Sequence, residues 1–434
     1  MVNYSEFPLE LTMKVAEHVE FYEDFSTFGK VCTRWRNAAK LADRSAALHQ
    51  TPWLMLGVSP SSCSSTVKIY SVYNSKFRLM DLPKISYKED EYWSCIDDDL
   101  DDSPNEDYEY DYSCCYSGLS DSDSDSDDDA RDHYGPKDCV SQYLCSSRGW
   151  LVHRSDFNFS YKGVALVHPL SKKIIITPCL PRNIFRDLFK SQSYLVQYGK
   201  FALSDSPSST SDFTLAMIFK CWRVRTVGFW RSKDEEWVIK EFTELDDTMD
   251  ITFYKGEFYV VDSCARIVAA NASDNTIRSV NLGHTFVPNN MQASNAFLVE
   301  SDGALLLVLH KLKYVGPNDQ HPGYLSRTPY FRVWEVNIED GQTKEVENLG
   351  NRALFLGRSS SFSVQASPDG CKPNCIYYVN YSGKRAGKQD RGIYDLTTRQ
   401  MIKQFDRYPM QNSFWVEAPS RFHCCLDSKG KSKV

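Results

Sequence analysis

ITFYKGEFYVVD (residues 251–262), followed by RIVAANASDNTIRSVNL (266–282), contains four short β-rich runs separated by turn-forming residues. YKGE at 254–257 supplies a glycine-centred turn, and Asn, Ser and Asp interrupt the second stretch. β-branched and aromatic residues fill the flanks, as is typical of paired strands. This segment therefore predicts two consecutive hairpins, which together make a four-stranded unit.

The same design recurs six times, at intervals of 42 to 65 residues once an acidic insertion in the first interval is set aside. The downstream hairpins begin at Val67, Val164, Val224, Arg266, Phe331 and Arg391. The upstream strands begin at Pro52, Ser146, Asp212, Ile251, Ala296 and Ser361. Four strands repeated radially predict a mainly β fold, a β-propeller with short protected edges. We expect six blades, with seven as the alternative, because blade boundaries are poorly fixed by one sequence.

Residues 89–132 hold nineteen Asp or Glu and one Arg, a net charge of −18, so the rest of the chain carries +11 against −7 overall. Such a tract is too polar to bury enough surface to offset its ordering entropy, which predicts a disordered insertion. An aspartate follows three residues after each of four serines, a pattern that suits an acidophilic kinase. These predicted phosphorylation sites are Ser120, Ser122, Ser124 and Ser126. The insertion is either solvated without a regulatory role or bound to the basic body.

The N-terminal region has a helical pattern. Pro8 suits a first helical turn, and Leu11, Val15 and Val19 then recur at four-residue spacing. A second apolar stripe follows from Phe25 and ends in VCTRWR at 31–36. So small a helical unit buries too little surface to be stable alone, and we expect it to pack on a partner or on the rest of the chain.

This region resembles an F-box over roughly residues 4 to 44, on the order Pro-Leu-Glu-Leu, an acidic break, and then VCTRWR. The resemblance implies docking on the Skp-type adaptor of a cullin-based ubiquitin ligase. The residues assigned to that contact are Pro8, Leu9, Leu11, Val15, Val31, Cys32 and Trp35. The alternative is a small helical cap in which Trp35 is simply buried.

The body resembles the KIB-type β-propeller of plant F-box proteins, whereas the Gly-Gly doublet of kelch repeats and the Trp-Asp dipeptide of the other common class are absent. The matching stretches run in order from residue 146 to residue 396. They are SSRGWLVHR with HPLSKK, YKGEFYVVD, FLVESDGALLLV, FRVWEV, VENLGNRALFLG, GCKPNCIYYVN and GIYDL. Two independent resemblances therefore agree.

The predicted organisation has five parts. They are an F-box module at 1–45, a linker and first blade at 46–88, the acidic insertion at 89–135, the remaining blades at 136–420, and a flexible basic tail at 421–434.

Catalytic and metal motifs are lacking. No HExxH, P-loop or G-x-S-x-G elbow is present, and the nearest approach to the elbow, GRSSSF at 357–362, lacks the second glycine. Cys371 and Cys375 are a weak metal hint without a second ligand pair. Propeller hydrolases place carboxylates around a central channel, but each candidate here also adjoins a predicted turn. These candidates are Asp262, Asp302, Asp369 and Asp395.

We therefore expect a non-catalytic receptor without cofactor or metal, the substrate-recognition subunit of a Skp-cullin-F-box ubiquitin ligase. It would dock on the adaptor, and through it on cullin, and would bind a target protein that the sequence does not identify. The alternative is a scaffold or inhibitor that binds proteins without ubiquitin ligation. Scattered basic pairs do not favour nucleic acid. The absence of a long apolar run and of a signal sequence predicts a nuclear or cytoplasmic protein away from membranes.

Overall fold

The computed structural model describes residues 7–17, 19, 28–41, 52–56, 66–72, 76–83, 85, 142–154, 164–181, 197–220, 225–245, 247–282, 294–315, 324–357, 359–366, 370–379, 386–388, 391–404 and 413–417. The predicted acidic insertion, its four serines Ser120, Ser122, Ser124 and Ser126, and the predicted tail at 421–434 lie outside these residues.

Six sheets account for the strands of the described residues, and each contains one of the six predicted downstream hairpins as its outer pair. The predicted six-bladed β-propeller is therefore confirmed. Blade 1 contains β1 (Trp53–Leu56), β2 (Thr66–Ser71), β3 (Lys76–Asp81) and β26 (Phe414–Val416). Blade 2 contains β4 (Gln142–Ser147), β5 (Trp150–Arg154), β6 (Val164–Val167) and β7 (Ile174–Ile176). Blade 3 contains β8 (Gln197–Leu203), β9 (Thr214–Lys220), β10 (Arg225–Arg231) and β11 (Val238–Glu241).

The second half of the ring includes two five-stranded sheets. Blade 4 contains β12 (Thr248–Tyr254), β13 (Glu257–Asp262), β14 (Ile267–Asn271) and β15 (Thr276–Val280). Blade 5 contains β16 (Asn295–Ser301), β17 (Ala304–Val315), β18 (Tyr324–Val336) and β19 (Thr343–Glu345), with β23 (Ala386–Lys388) paired to β18. Blade 6 contains β20 (Arg352–Leu356), β21 (Phe362–Gln365), β22 (Cys375–Val379), β24 (Arg391–Asp395) and β25 (Gln400–Gln404).

Successive side chains along a strand point alternately into two hydrophobic cores, because each blade is covered on both faces by its neighbours. On β13, Phe258 and Val260 pack towards blade 3, whereas Tyr259 and Val261 pack towards blade 5. Six such clusters fill the six junctions between successive blades, including the junction of blade 6 with blade 1. Burial on both faces explains the near-continuous apolar runs of the inner strands.

The ring is closed by β26, which pairs antiparallel with β1 and gives blade 1 its innermost strand from the far end of the chain. Trp415 on β26 is fully buried, and its indole Nε1 donates to the Leu356 carbonyl of blade 6 at 3.1 Å. Its own carbonyl accepts from Ser146 Oγ of blade 2 at 2.6 Å. This strand therefore links the first blade to both neighbours.

Blade 6 departs from the simple repeat. β20 lies between β21 and β22 and runs parallel to β22, whereas the sequence predicted the segments of β21 and β22 as successive strands of the repeat unit. β20 is therefore the additional strand of this blade, and β21 is its innermost strand, which lies against β16 of blade 5.

The N-terminal region forms the predicted helices α1 (Leu9–Glu17) and α2 (Thr33–Leu41), with a helical turn at residues 28–31 between them. α1 begins directly after Pro8, whose carbonyl accepts from both the backbone N and the hydroxyl of Thr12. The two helices pack against each other.

Candidate functional site

The helical module has a core of small side chains. Ala16 of α1 and Ala38 of α2 are fully buried, and Ala39 and Phe28 are nearly so. Small residues at a crossing allow two helices to approach closely. Little apolar surface is buried in this way, so the module is weakly stabilised by its own contacts.

The structure divides the residues predicted to contact an adaptor into two groups. Leu11, Val15 and Val31 are exposed by 48%, 50% and 54% of their surfaces. Leu9 and Trp35 instead pack, partly buried, against the module's core. Leu11 and Val15 lie one turn apart on α1, and contiguous exposed apolar surface is typical of a site that binds a partner.

Pro8 and Cys32 contribute to the shape of the module. Pro8 is exposed where α1 begins, and Cys32 is half-buried where α2 begins. The Cys32 sulfur accepts from the Trp35 backbone N at 3.5 Å, in the manner of a helix cap. These contacts fix where the helices start.

Trp35 connects the helical turn to α2. Its ring lies 4.5 Å from the ring of Phe28, measured between centroids. The neighbouring Arg36 donates from Nε to the Gly29 carbonyl at 3.2 Å. The VCTRWR segment is therefore part of the module's internal structure, and removal of Trp35 would affect folding as well as any contact with a partner.

A second site, which is polar, lies at the centre of the propeller. Lys200 on β8 and Asp250 on β12 form an ion pair at 3.0 Å, with Asp250 fully buried and Lys200 9% exposed. Asp250 also accepts from the Leu298 backbone N of β16 at 3.2 Å. One carboxylate therefore joins the inner strands of blades 3, 4 and 5.

Residues 359–361, the serines of the GRSSSF motif, pass through this centre. Ser361 Oγ donates to the Asp250 carboxylate at 2.5 Å, and the Ser359 carbonyl accepts from the Lys200 ammonium at 3.0 Å. Ser360 donates from its backbone N to Ser146 of blade 2 and from its hydroxyl to Phe201 of blade 3. The motif therefore connects blade 6 to blades 2, 3 and 4. The hydroxyls of Ser360 and Ser361 are engaged in structural contacts, whereas the buried Ser359 hydroxyl has no hydrogen-bond partner among the described residues.

Burial governs the protonation of the central carboxyl. Desolvation raises the pKa of Asp250 above its ordinary value, and the Lys200 charge and the Ser361 hydroxyl oppose this shift. Lys200 also lies 5.0 Å from the centroid of the Phe297 ring, which adds a cation–π contact.

The carboxylates considered as channel residues lie elsewhere or serve turns. Asp262 binds the Arg266 guanidinium at 2.6 Å and accepts from two backbone N–H groups. Asp395 accepts from the backbone N of Thr397 at 2.8 Å, and Asp302 occupies the β16–β17 turn. Asp369 lies outside the described residues.

The cysteine pair of blade 6 is buried. Desolvation raises the pKa of both the Cys371 and Cys375 thiols to about 11, so both are protonated at neutral pH. The described residues contain no group of three or more His, Cys, Asp or Glu placed to hold a metal ion.

Sequence reasoning missed the central ion pair. A signal was present, because Asp250 interrupts the apolar strand TMDITFY and Lys200 lies within QYGKFAL. A charged residue inside a strand buried on both faces must be paired, which points to a partner on a neighbouring strand.

The fold and these two sites define the class: a six-bladed β-propeller with a closed, polar centre and an N-terminal helical module. A model of the KIB1-4 β-propeller family matches residues 124–395, more than half of the chain. The chain belongs to this family.

Several proteins of Arabidopsis thaliana that are named as F-box proteins are similar to this chain in sequence. F-box protein At2g26160 is 25% identical over 54% of this chain and 74% of its own length. Putative F-box protein At3g25750 is 26% identical over 56% of this chain and 68% of its own. F-box protein SKIP23 is 27% identical over 44% and 50%. Among solved structures, TolB from Acinetobacter baumannii has a TM-score of 0.38 at 9% identity, over 87% of this chain and 70% of TolB.

None of the helices in the described ranges combines the length and apolar content needed to cross a membrane.

Proposed function

We propose that this protein is the substrate-recognition subunit of a Skp-cullin-F-box ubiquitin ligase. The helical module would dock on the Skp-type adaptor, and the propeller would hold a target protein for ubiquitination and degradation. The observation that carries the proposal is the exposed apolar set Leu11, Val15 and Val31, on a module that buries little surface of its own.

Family membership supports the same function. The relatives with this propeller are named F-box proteins, and this chain has a helical pair ahead of its first blade. We assign the predicted F-box to those helices.

The receptor's contribution to the reaction would be proximity. Holding a target lysine near a ubiquitin-loaded enzyme turns a bimolecular encounter into an effectively intramolecular one. No nucleophile is required of the receptor, and in the GRSSSF motif the Ser360 and Ser361 hydroxyls bind the propeller's own strands. We place this activity in the nucleus or the cytoplasm.

Adaptor binding by the full chain tests the proposal. We expect wild type to bind a purified Skp-type adaptor, and Leu11→Asp with Val31→Asp to weaken binding by at least about 30-fold, since each aspartate would be desolvated in an apolar contact. The matched control is Leu79→Asp, which changes a residue that is 73% exposed on blade 1. These positions are preferable to Trp35, because Trp35 also stabilises the module.

Two results would overturn the docking account: binding of the double variant at the wild-type level, or failure of wild type to bind at all. The second result would favour the alternative, a propeller scaffold or inhibitor that acts without ubiquitin ligation.

A further inference from the structure

The first serine of the GRSSSF motif, Ser359, carries a buried hydroxyl. Ser359 is 1% exposed, and its Oγ has no hydrogen-bond partner among the described residues. The hydroxyls of the next two serines, Ser360 and Ser361, both donate to strands of other blades. Leaving a buried hydroxyl unbonded is unfavourable, and most buried polar atoms in proteins bond to protein or to an ordered water molecule. The Ser359 hydroxyl therefore indicates a bound group.

The surroundings of this hydroxyl are polar and charged. The carbonyl of Ser359 accepts from the Lys200 ammonium at 3.0 Å, and the same ammonium lies 3.0 Å from the Asp250 carboxylate. Both members of this ion pair are buried. Cavities that stay dry are lined by apolar groups, whereas water occupies buried sites that offer it polar partners. A group bound to the Ser359 hydroxyl lies beside a charged pair, which favours water over an apolar ligand.

The chain that follows Ser359 restricts the size of a ligand. Ser360 contacts blade 2 through its backbone N and blade 3 through its hydroxyl, and Ser361 contacts blade 4. These contacts hold the segment against three blades directly after Ser359. An organic ligand bound at the Ser359 hydroxyl would have to displace them. The site therefore suits a very small ligand.

Charge favours a neutral ligand over an ion. Lys200 and Asp250 contribute one positive and one negative charge, so the pair is neutral as a whole. A monatomic ion would add an uncompensated charge to a buried site, which is strongly unfavourable. Water adds no charge, and a serine hydroxyl can both donate to it and accept from it.

We propose that an ordered water molecule is bound at the centre of the propeller, hydrogen-bonded to Ser359 Oγ beside the Lys200–Asp250 pair. The Ser359 carbonyl accepts from Lys200 and has a second lone pair, with which it can accept from the same water. The water belongs to the set of contacts through which residues 359–361 hold blade 6 to blades 2, 3 and 4. It is a structural ligand of the fold, and its binding does not depend on what the faces of the ring recognise.

A crystal structure of the full chain tests the site directly. We expect density for one water molecule about 2.5–3.0 Å from Ser359 Oγ. Ser359→Ala should lose this density, because the water loses a hydrogen-bond partner. The matched control is Ser146→Ala, which should keep it, since Ser146 is equally buried but its hydroxyl donates to the Trp415 carbonyl at 2.6 Å. The proposal is overturned if Ser359 Oγ bonds to a protein atom, if no density lies beside it, or if the density persists in Ser359→Ala.

Thermal unfolding tests the site in solution, because a bonded and an unbonded hydroxyl predict opposite changes in Tm. If the Ser359 hydroxyl were unbonded, Ser359→Ala would remove an unsatisfied polar group and raise the Tm. If it binds the water, the substitution should lower the Tm by about 1–2 °C, the loss of one hydrogen bond in roughly 350 folded residues. Ser146→Ala should lower the Tm as well, because it leaves the Trp415 carbonyl without its donor. An unchanged or higher Tm for Ser359→Ala would overturn the proposal.

Varied salt distinguishes water from a monatomic ion. A bound ion stabilises the folded chain by mass action, so its effect depends on the concentration of that ion. The difference in Tm between wild type and Ser359→Ala should be the same at low and high NaCl concentration, and also in a salt of large organic ions. A difference that grows with NaCl and disappears in the organic salt would show that an ion occupies the site, which would overturn the assignment of water.

Discussion

Removal of Lys200 gives the most informative test of the propeller's centre. Lys200→Met leaves the fully buried Asp250 without its counter-ion at 3.0 Å. Breaking a buried pair in this way costs about 3–5 kcal/mol in free energy of unfolding. For roughly 350 folded residues with an unfolding entropy of about 2.1 cal/mol/K each, this corresponds to a fall in Tm of about 4–7 °C.

The loss should depend on pH in a defined direction. Burial already raises the pKa of Asp250, and Lys200 opposes that shift, so the variant's Asp250 should have a still higher pKa. A carboxyl whose folded pKa exceeds its unfolded value contributes stability at low pH and loses it as pH rises. Each further unit by which the variant's Asp250 pKa rises adds about 1.4 kcal/mol to the loss in free energy of unfolding at pH values above that pKa. The deficit should therefore be larger at pH 7.5 than at pH 5.

Guanidinium unfolding followed by tryptophan fluorescence at both pH values measures this deficit. Lys233→Met is the matched control, because Lys233 pairs with Asp212 on the surface, with side chains 67% and 72% exposed. It should cost less than about 1 kcal/mol at either pH. Adding Asp250→Asn to Lys200→Met should remove the pH dependence. A Lys200→Met deficit no larger than the control's, or equal at the two pH values, would refute the reasoning.

Two further predictions concern stability. His310 is buried and stacked on Phe331 at 4.3 Å, and burial lowers its pKa to about 3, so its contribution is lost as pH falls below 6.5. Guanidinium titrations from pH 6 to pH 4 should show wild type losing up to about 1.4 kcal/mol per pH unit more than His310→Phe, and parallel curves would contradict this. Gly256→Ala, at φ +90° with open space around it, should cost about 1–2 kcal/mol. Gly341→Ala, at φ +71°, should cost a further 1–3 kcal/mol because its Cβ would collide with the Asn281 carbonyl, and equal Tm losses for the two would contradict this.

The repeating part of the fold could be predicted from sequence because its information is local. Each outer hairpin brings its own turn residues and its own alternating strands, so a short window is sufficient. Ring closure is different. β26 contributes only FWV, and its pairing with Trp53–Leu56 joins residues that are far apart in the chain. A three-residue strand has no period that could reveal its partner.

In the candidate sites, the sequence likewise could not predict which side chains face the core or pair with each other. The four-residue spacing of α1 identified Leu11 and Val15, but the core lies on Leu9, Met13 and Ala16. Two apolar stripes on one short helix have the same composition, so sequence alone could not say which faces inward. The pairing of Lys200 with Asp250 likewise depends on two strands meeting in the ring.

The filled centre restricts where a target can bind. Ser359 to Ser361 contact the inner strands of three other blades, and Ser363 adds a contact to Ser301 of a fourth. A polypeptide target would have to displace these contacts to enter the channel. Asp250 would then lose the hydrogen bond that Ser361 donates to it. Under the proposed function, recognition of a target would therefore take place on the faces of the ring. On one face, turns such as 255–256 and 302–303 are two residues long and offer little surface. The opposite face carries the extended end of the β17–β18 ladder, so under the proposed function differences in this face would decide which target the propeller holds.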